Sequence, residues 1–161
     1  MEIIYEKELC ADTINQIYDI AMDYSCDYFT ENFPNDMRLD MTFHRVLYIK
    51  EAHEIISCLV FTCLDGSPHI TMLATKRERA GQGFGKQLIQ AFQEHVTQFG
   101  FHSIELFTFS PKSKPLYQST LAFYENAGFR VIREYQDLWE PGTITLKLRK
   151  EWASEPNNEK L

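Results

Sequence analysis

The sequence predicts one α/β domain built on a mostly antiparallel, mixed sheet of about seven strands with about four flanking helices. Three observations predict it. The elements read in the order β, α, α, β, β, β, α, β, α, β, β, with no internal repeat and no linker. A content of 44% apolar and 24% charged residues in a chain of 161 is that of one ordinary globular core. A glycine-rich loop, Gly81 to Gly85, separates an apolar strand from an amphipathic helix. The domain is expected to span residues 1–150, and 151–161 to form a polar, frayed tail.

After the opening strand, Ile14, Ile17, Tyr18 and Ala21 recur at i, i+3, i+4 and i+7, which predicts a helix within Asp12 to Phe29. Thr13 and Gln16 are spaced as a capping box. A short second helix follows Pro34. Arg45 to Lys50, Ile55 to Leu64 and Pro68 to Thr75 read as strands of a meander, with Asp65-Gly66 as a hairpin turn. In the helix that opens after Gly81, Leu88, Ile89, Phe92, Val96 and Phe99 form an apolar stripe, and Gly100 ends it. Ser103 to Phe109 is a strand, Tyr117 to Ala127 a helix closed by Gly128, and Phe129 to Tyr135 a strand. In the last strand Ile144, Leu146 and Leu148 alternate with Thr143, Thr145, Lys147 and Arg149, as one buried face requires.

Composition narrows the function. No apolar run approaches the roughly 20 residues of a spanning helix, and MEIIYEKEL lacks the basic and apolar regions of a signal peptide, so a cytoplasmic location is expected. Cys10, Cys26, Cys58 and Cys63 form no C-x-x-C pair; the last two lie in apolar strand sequence, where buried thiols are expected. The five histidines lack metal-ligand spacing, so no metal is expected. A net charge of −7 argues against nucleic acid as partner. A monomer or a homodimer is expected.

The loop carries the chemistry. First-turn N–H groups of a helix have no partner in the helix and its dipole favours an anion, while glycine lets a ligand approach the backbone. Lys76, Arg77, Arg79 and Lys86 against Glu78 give a local charge of +3. A nucleotide-triphosphate loop would need Gly at position 80 and Ser or Thr after Lys86, where Ala80 and Gln87 stand. A dinucleotide fingerprint would need Gly or Ala at Lys86 and an early βαβ unit.

Ala80-Gly81-Gln82-Gly83-Phe84-Gly85, followed by Leu88-Ile89, resembles the pyrophosphate loop R/Q-x-x-G-x-G/A of the GNAT N-acyltransferases. Ala80 stands where the family usually has Arg or Gln. Leu121-Ala122-Phe123-Tyr124-Glu125-Asn126-Ala127-Gly128-Phe129 is similar to the family's A-x-x-x-Y-E-x-x-G-F signature. Tyr117 and Thr120 stand where Asn and Ala are frequent. The resemblance covers Pro68 to about Lys150.

The resemblance implies acetyl-CoA as acyl donor and a primary amine as acceptor. It implies that backbone groups of Leu73, Ala74 and Thr75 pair with the pantetheine arm, and that phosphates lie on N–H groups from Gly81 to Lys86. Arg79 and Lys86 are the candidate cations there, and Tyr117 a further cofactor contact. Tyr124 occupies the family position of the acid that protonates the departing sulfur. His69, on the strand before the loop, is the first candidate base, with a reference pKa of about 6.5; Glu105 and a water relay are alternatives. Asp23, Asp27, Glu31, Asp36 and Asp40, among Tyr24, Tyr28, Phe29 and Phe33, suggest a small cationic amine, an amino acid derivative or a peptide N-terminus. A catalytically silent acyl-CoA sensor or an interaction module are the alternatives to an enzyme.

Overall fold

The structure, a computed structural model that describes residues 1–154, contains β1 (Glu2–Glu6), α1 (Ala11–Met22), α2 (Phe33–Asp40), β2 (Arg45–Glu51), β3 (Glu54–Leu64), β4 (Ser67–Thr75), α3 (Phe84–Thr97), β5 (Ser103–Phe109), α4 (Gln118–Asn126), β6 (Arg130–Gln136) and β7 (Ile144–Glu151). The strands form one seven-stranded sheet in the order β1-β2-β3-β4-β5-β7-β6. Every neighbouring pair is antiparallel except β4 and β5. The fold class and the element order are those the sequence predicts. No helix among the described residues is long and apolar enough to cross a membrane.

Strand alternation sends side chains to two cores. Leu47, Leu59, Phe61, Ile70, Leu106 and Leu148 meet Phe84, Leu88, Ile89 and Phe92 of α3 and Tyr124 of α4 on one face. Val46, Tyr48, Cys58, Val60, Met72 and Ala74 meet Ile17 and Ile20 of α1 and Met37 of α2 on the other. Beyond β4 the second face has no helix over it in either cluster, and there β5 and β7 carry polar and aromatic side chains instead.

Four expectations need correction. The capping box does not form: Thr13 donates to Glu6 (3.1 Å) and Gln16 to Asp12 (2.8 Å), while the Ile55 N–H donates to Gln16 (2.7 Å). The first helix, Ala11–Met22, lies in the segment predicted for it, and just beyond it Arg77 donates to the Asp23 carbonyl (2.6 Å from Nη2). Phe99 leaves the apolar stripe and is 64% exposed; both Phe99 and Phe101 donate their N–H to the Val96 carbonyl around Gly100, and Phe101 takes the place against the core. The tail is not frayed from 151 onward. Glu151 belongs to β7, and Trp152 packs on the core, donates Nε1–H to Thr97 (3.0 Å) and its N–H to the His102 carbonyl (3.0 Å). Residues 155–161 lie outside the described residues. Cys58 is buried and its thiol is pushed up to about 12 by that burial, whereas Cys63 is exposed.

Truncating a fully buried aromatic leaves a cavity, whereas an exposed one leaves none. Phe92→Ala should therefore cost about 3–5 kcal/mol in urea unfolding, and Phe99→Ala under about 1 kcal/mol. Equal losses would mean that Phe99 packs as the sequence stripe suggested.

Candidate active site

The parallel neighbours β4 and β5 pair only at His69 with Glu105 and Ile70 with Leu106. The cause lies on the other side of β4. One step along β3, Val60 to Phe61, is matched by two steps on β4, Met72 to Ile70, so Thr71 is an extra residue in a bulge. The Thr71 hydroxyl donates to the Val60 carbonyl (3.1 Å), and His44 Nδ1 lies 3.3 Å from it. A bulge bends its strand and raises the local twist. From Thr71 to Thr75 the β5-facing edge of β4 is left without a strand partner, and the split opens toward the glycine loop.

At the end of that split stands α3. Gly83 is its N-cap at φ 86°, in the left-handed region that glycine adopts freely. A Cβ on Gly85 would come 3.1 Å from the Phe123 ring of α4, so glycine there lets the two helices close together. Among the described residues, none of the backbone N–H groups from Gly81 to Lys86 has an acceptor, whereas Gln87 N–H donates to Gly83. Successive unpaired donors at a helix start form an anion cradle.

The loop's cations do not supply the expected charge. Lys76 is paired with Glu54, Arg77 with Asp27 (2.7 Å) and Arg79 with Glu51 (2.6 Å). The Arg79 guanidinium also lies over Phe84, 5.3 Å from the ring centroid. Arg79 therefore anchors the loop. Lys86 has no ion partner among the described residues, and with Lys150 of β7 it borders a groove running past Gly83 and Asn126. Burial and the nearby Lys86 charge hold the Lys150 ammonium below the ordinary lysine range.

Of the other expected cofactor contacts, Leu73 packs on the α3 side and Ala74 is buried against α1. The Thr75 carbonyl accepts from the Tyr24 hydroxyl, and its own hydroxyl lies 2.8 Å from Ser57. Phe84 is a core side chain, so only its N–H faces the loop. Tyr117 is buried and its hydroxyl donates to the Tyr28 carbonyl, which makes it a tether for the α1–α2 segment and takes its side chain out of the set of free cofactor donors.

Tyr124 projects from α4 into the core edge-on to Phe129 (5.5 Å) and Phe123 (5.2 Å). Its hydroxyl makes no hydrogen bond among the described residues, and burial pushes its pKa well above the usual phenol value. His69 lies on the opposite face of the sheet. It is 6% exposed, its ring is 5.1 Å from Phe107, and its nitrogens have no protein partner among the described residues. Burial lowers its pKa, opposed by the Glu105 carboxylate and assisted by Lys147 and His44.

Glu105, the alternative base, is not free. Its buried carboxylate accepts from Arg149 (2.6 Å) and pairs with Lys147 (3.0 Å). Burial alone would raise its pKa, but these two cations outweigh it and hold the carboxyl below its usual range.

The family model described as an acetyltransferase (GNAT) domain matches residues 43–131, more than half of the chain. This chain belongs to the GNAT acetyltransferase family. No curated protein matches the sequence. Among solved structures, an aminoglycoside 6'-N-acetyltransferase complexed with coenzyme A superposes with TM-score 0.78 at 14% identity, covering 98% of this chain and 100% of that one. The aminoglycoside 6'-N-acetyltransferase from Enterococcus faecium gives 0.74 at 12%, with 98% and 100% covered. The ribosomal-protein-S18-alanine N-acetyltransferase from Escherichia coli gives 0.69 at 11%, with 99% and 100% covered. At such identities the likeness is one of fold.

Within this GNAT chain the split between β4 and β5 is bordered by the cradle at one end and by His69 at the other. Sequence reading missed Lys150 and Trp139, and placed Tyr28 among the acceptor-side residues. Lys150 lies just past the alternation read for the last strand, and Trp139 lies in a segment without periodicity.

The lowered pKa of His69 has a definite sign in stability. As pH falls through about 6.5, the unfolded chain takes up a proton that folded His69 resists, so the residue destabilises the fold on the acid side and not above it. NMR titration of the His69 imidazole should give a midpoint below 6.5. A midpoint at or above that value would contradict its burial as a neutral ring.

Proposed function

We propose that the protein is an N-acetyltransferase that moves an acetyl group from acetyl-CoA to a primary amine by direct transfer. The observation that carries this reading is the partnerless edge of β4, from Thr71 to Thr75, ending at the unpaired N–H groups of Gly81 to Lys86. An extended chain of amides can add to such an edge as a strand does, and a pyrophosphate suits the cradle beyond it. Lys86 and Lys150 are the side-chain cations for the phosphates, in place of Arg79. Because Tyr24 already occupies the Thr75 carbonyl, pantetheine amides pair with the edge ahead of it.

In the transfer, the amine nitrogen bonds to the thioester carbonyl carbon and the carbon–sulfur bond breaks. His69 removes the amine proton. Its neutral form prevails at pH 7, as a base requires. Tyr124 gives a proton to the departing sulfur. Burial keeps this phenol protonated, and the same dry surroundings raise the proton affinity of a thiolate beside it. The acid stands on the α4 side and the base on the α1 side, so acetyl-CoA and the amine meet through the split.

Any side chain at Gly83 would stand in open space where the phosphates go, and its backbone angle disfavours one. Gly83→Val should weaken acetyl-CoA binding at least tenfold in calorimetry while circular dichroism stays native. Unchanged affinity in a folded variant would refute the cradle.

Tyr124→Phe should lower kcat on the order of 10²–10⁴-fold with acetyl-CoA affinity near normal, the usual range for a general acid. His69→Ala should remove the acidic limb of the kcat/KM profile. Near-normal turnover in the first variant, or an unchanged profile in the second, would strip that residue of its role.

A further inference from the structure

On the His69 face of the sheet, aromatic rings from four separate segments pack as one cluster beside the split. Phe107 and Phe109 of β5 belong to it, with Phe107 beside His69. Trp139, in the β6–β7 loop, stands edge-to-face on both, 6.3 Å from Phe107 at 77° and 4.9 Å from Phe109 at 80°. Tyr117 stacks edge-on against Phe109 (5.4 Å), and Tyr28 against Tyr117 (5.6 Å).

The loop that carries Trp139 is held in place. The Gly142 N–H donates to the Asp137 carboxylate (2.5 Å), the Asp137 N–H to the Thr143 carbonyl (2.9 Å), and Lys114 pairs with Glu140 (2.9 Å). A rigid loop here holds an indole that is still 48% exposed. Neither of its ring contacts is a parallel stack, and its exposed surface is available to another ring.

The charges around the cluster point the same way. The acids beside it are already paired: Asp27 with Arg77, Glu140 with Lys114, and Glu105 with Lys147 and Arg149. Glu31, Asp36 and Asp40 are exposed to solvent. The rings carry the protein's own cations, Lys114 over Phe109 (4.0 Å), Arg133 over Tyr135 (4.8 Å) and Lys147 over Phe107 (5.9 Å). Around Phe107 the one carboxylate of Glu105 faces two cations, Lys147 and Arg149, so a ligand with several positive charges meets a local excess of cation there.

Resting on the transferase reading above, we infer that the acceptor is a primary amine with a single positive charge on a flat, apolar body, an arylalkylamine in chemical class, stacked by Trp139 with its amine toward His69. The acidic α1–α2 segment does not select a polycation.

Two measurements separate this inference from the transferase reading. Calorimetry, with and without coenzyme A, compares 2-phenylethylamine with spermidine and needs no turnover; thiol release from acetyl-CoA with the same amines then gives kcat/KM. The expected result is tighter binding and at least tenfold higher kcat/KM for 2-phenylethylamine. Trp139→Ala should raise the Kd for this amine about tenfold and leave that for acetyl-CoA in place, and Trp139→Phe should recover most of the loss. Tighter binding of spermidine, or an unchanged Kd in folded Trp139→Ala, overturns the inference whatever the turnover. Tight binding of 2-phenylethylamine without thiol release leaves the cluster's specificity standing and sinks the transferase reading alone.

Discussion

One extra residue in β4 governs the layout of this molecule. Without the bulge at Thr71, β4 and β5 would pair along their length and the sheet would be closed where the site now lies. The bulge also resets the facing of the strand, sending Ile70 and Leu73 to the α3 side and Met72 and Ala74 to the α1 side. Both cores are thus completed by a strand whose inner edge remains open. The opening is bounded by packed secondary structure, so it needs no domain movement to exist.

The two sides of the opening use different materials. Under the proposed function, recognition on the α3 side falls to backbone N–H groups fixed by a helix start and to helix packing that requires Gly85 against Phe123. On the opposite side it falls to side chains, Phe107, Trp139, Tyr28 and His69, carried partly by loops. A backbone site tolerates change in its side chains, as Ala80 illustrates in a position the family usually gives to Arg or Gln. A side-chain site changes its ligand with each substitution. The donor site can therefore stay constant while the acceptor site varies, which fits a family fold shared with chains only 11–14% identical.

Periodic features were legible in the sequence because periodicity is local. The alternation of β7 and the stripe of α3 each follow from neighbours within a few residues, and the glycine loop announced its helix start. Partnerships across the chain were not. Arg77 counted toward the loop's positive charge because Asp27, its partner, is 50 residues away, and Arg79 looked like a phosphate ligand because Glu51 is 28 away. Tyr117 is bound to a carbonyl 89 residues off, so its sequence position could suggest a cofactor contact but not the tether that occupies it. The bulge at Thr71 left no trace either, since Ile70, Met72 and Ala74 are all buried and the strand reads as continuous.

The neutralised cations of the glycine loop have a consequence for how an anion is captured. With Lys76, Arg77 and Arg79 each matched to a carboxylate, the loop projects little net field into solvent. Under the proposed function, what holds a phosphate is a set of fixed peptide dipoles with Lys86 and Lys150 beside them, acting at contact distance, well inside the Debye length of about 10 Å at 0.1 M salt. Capture under that reading is governed by fit more than by long-range steering, and ionic strength acts on it mainly through those two lysines.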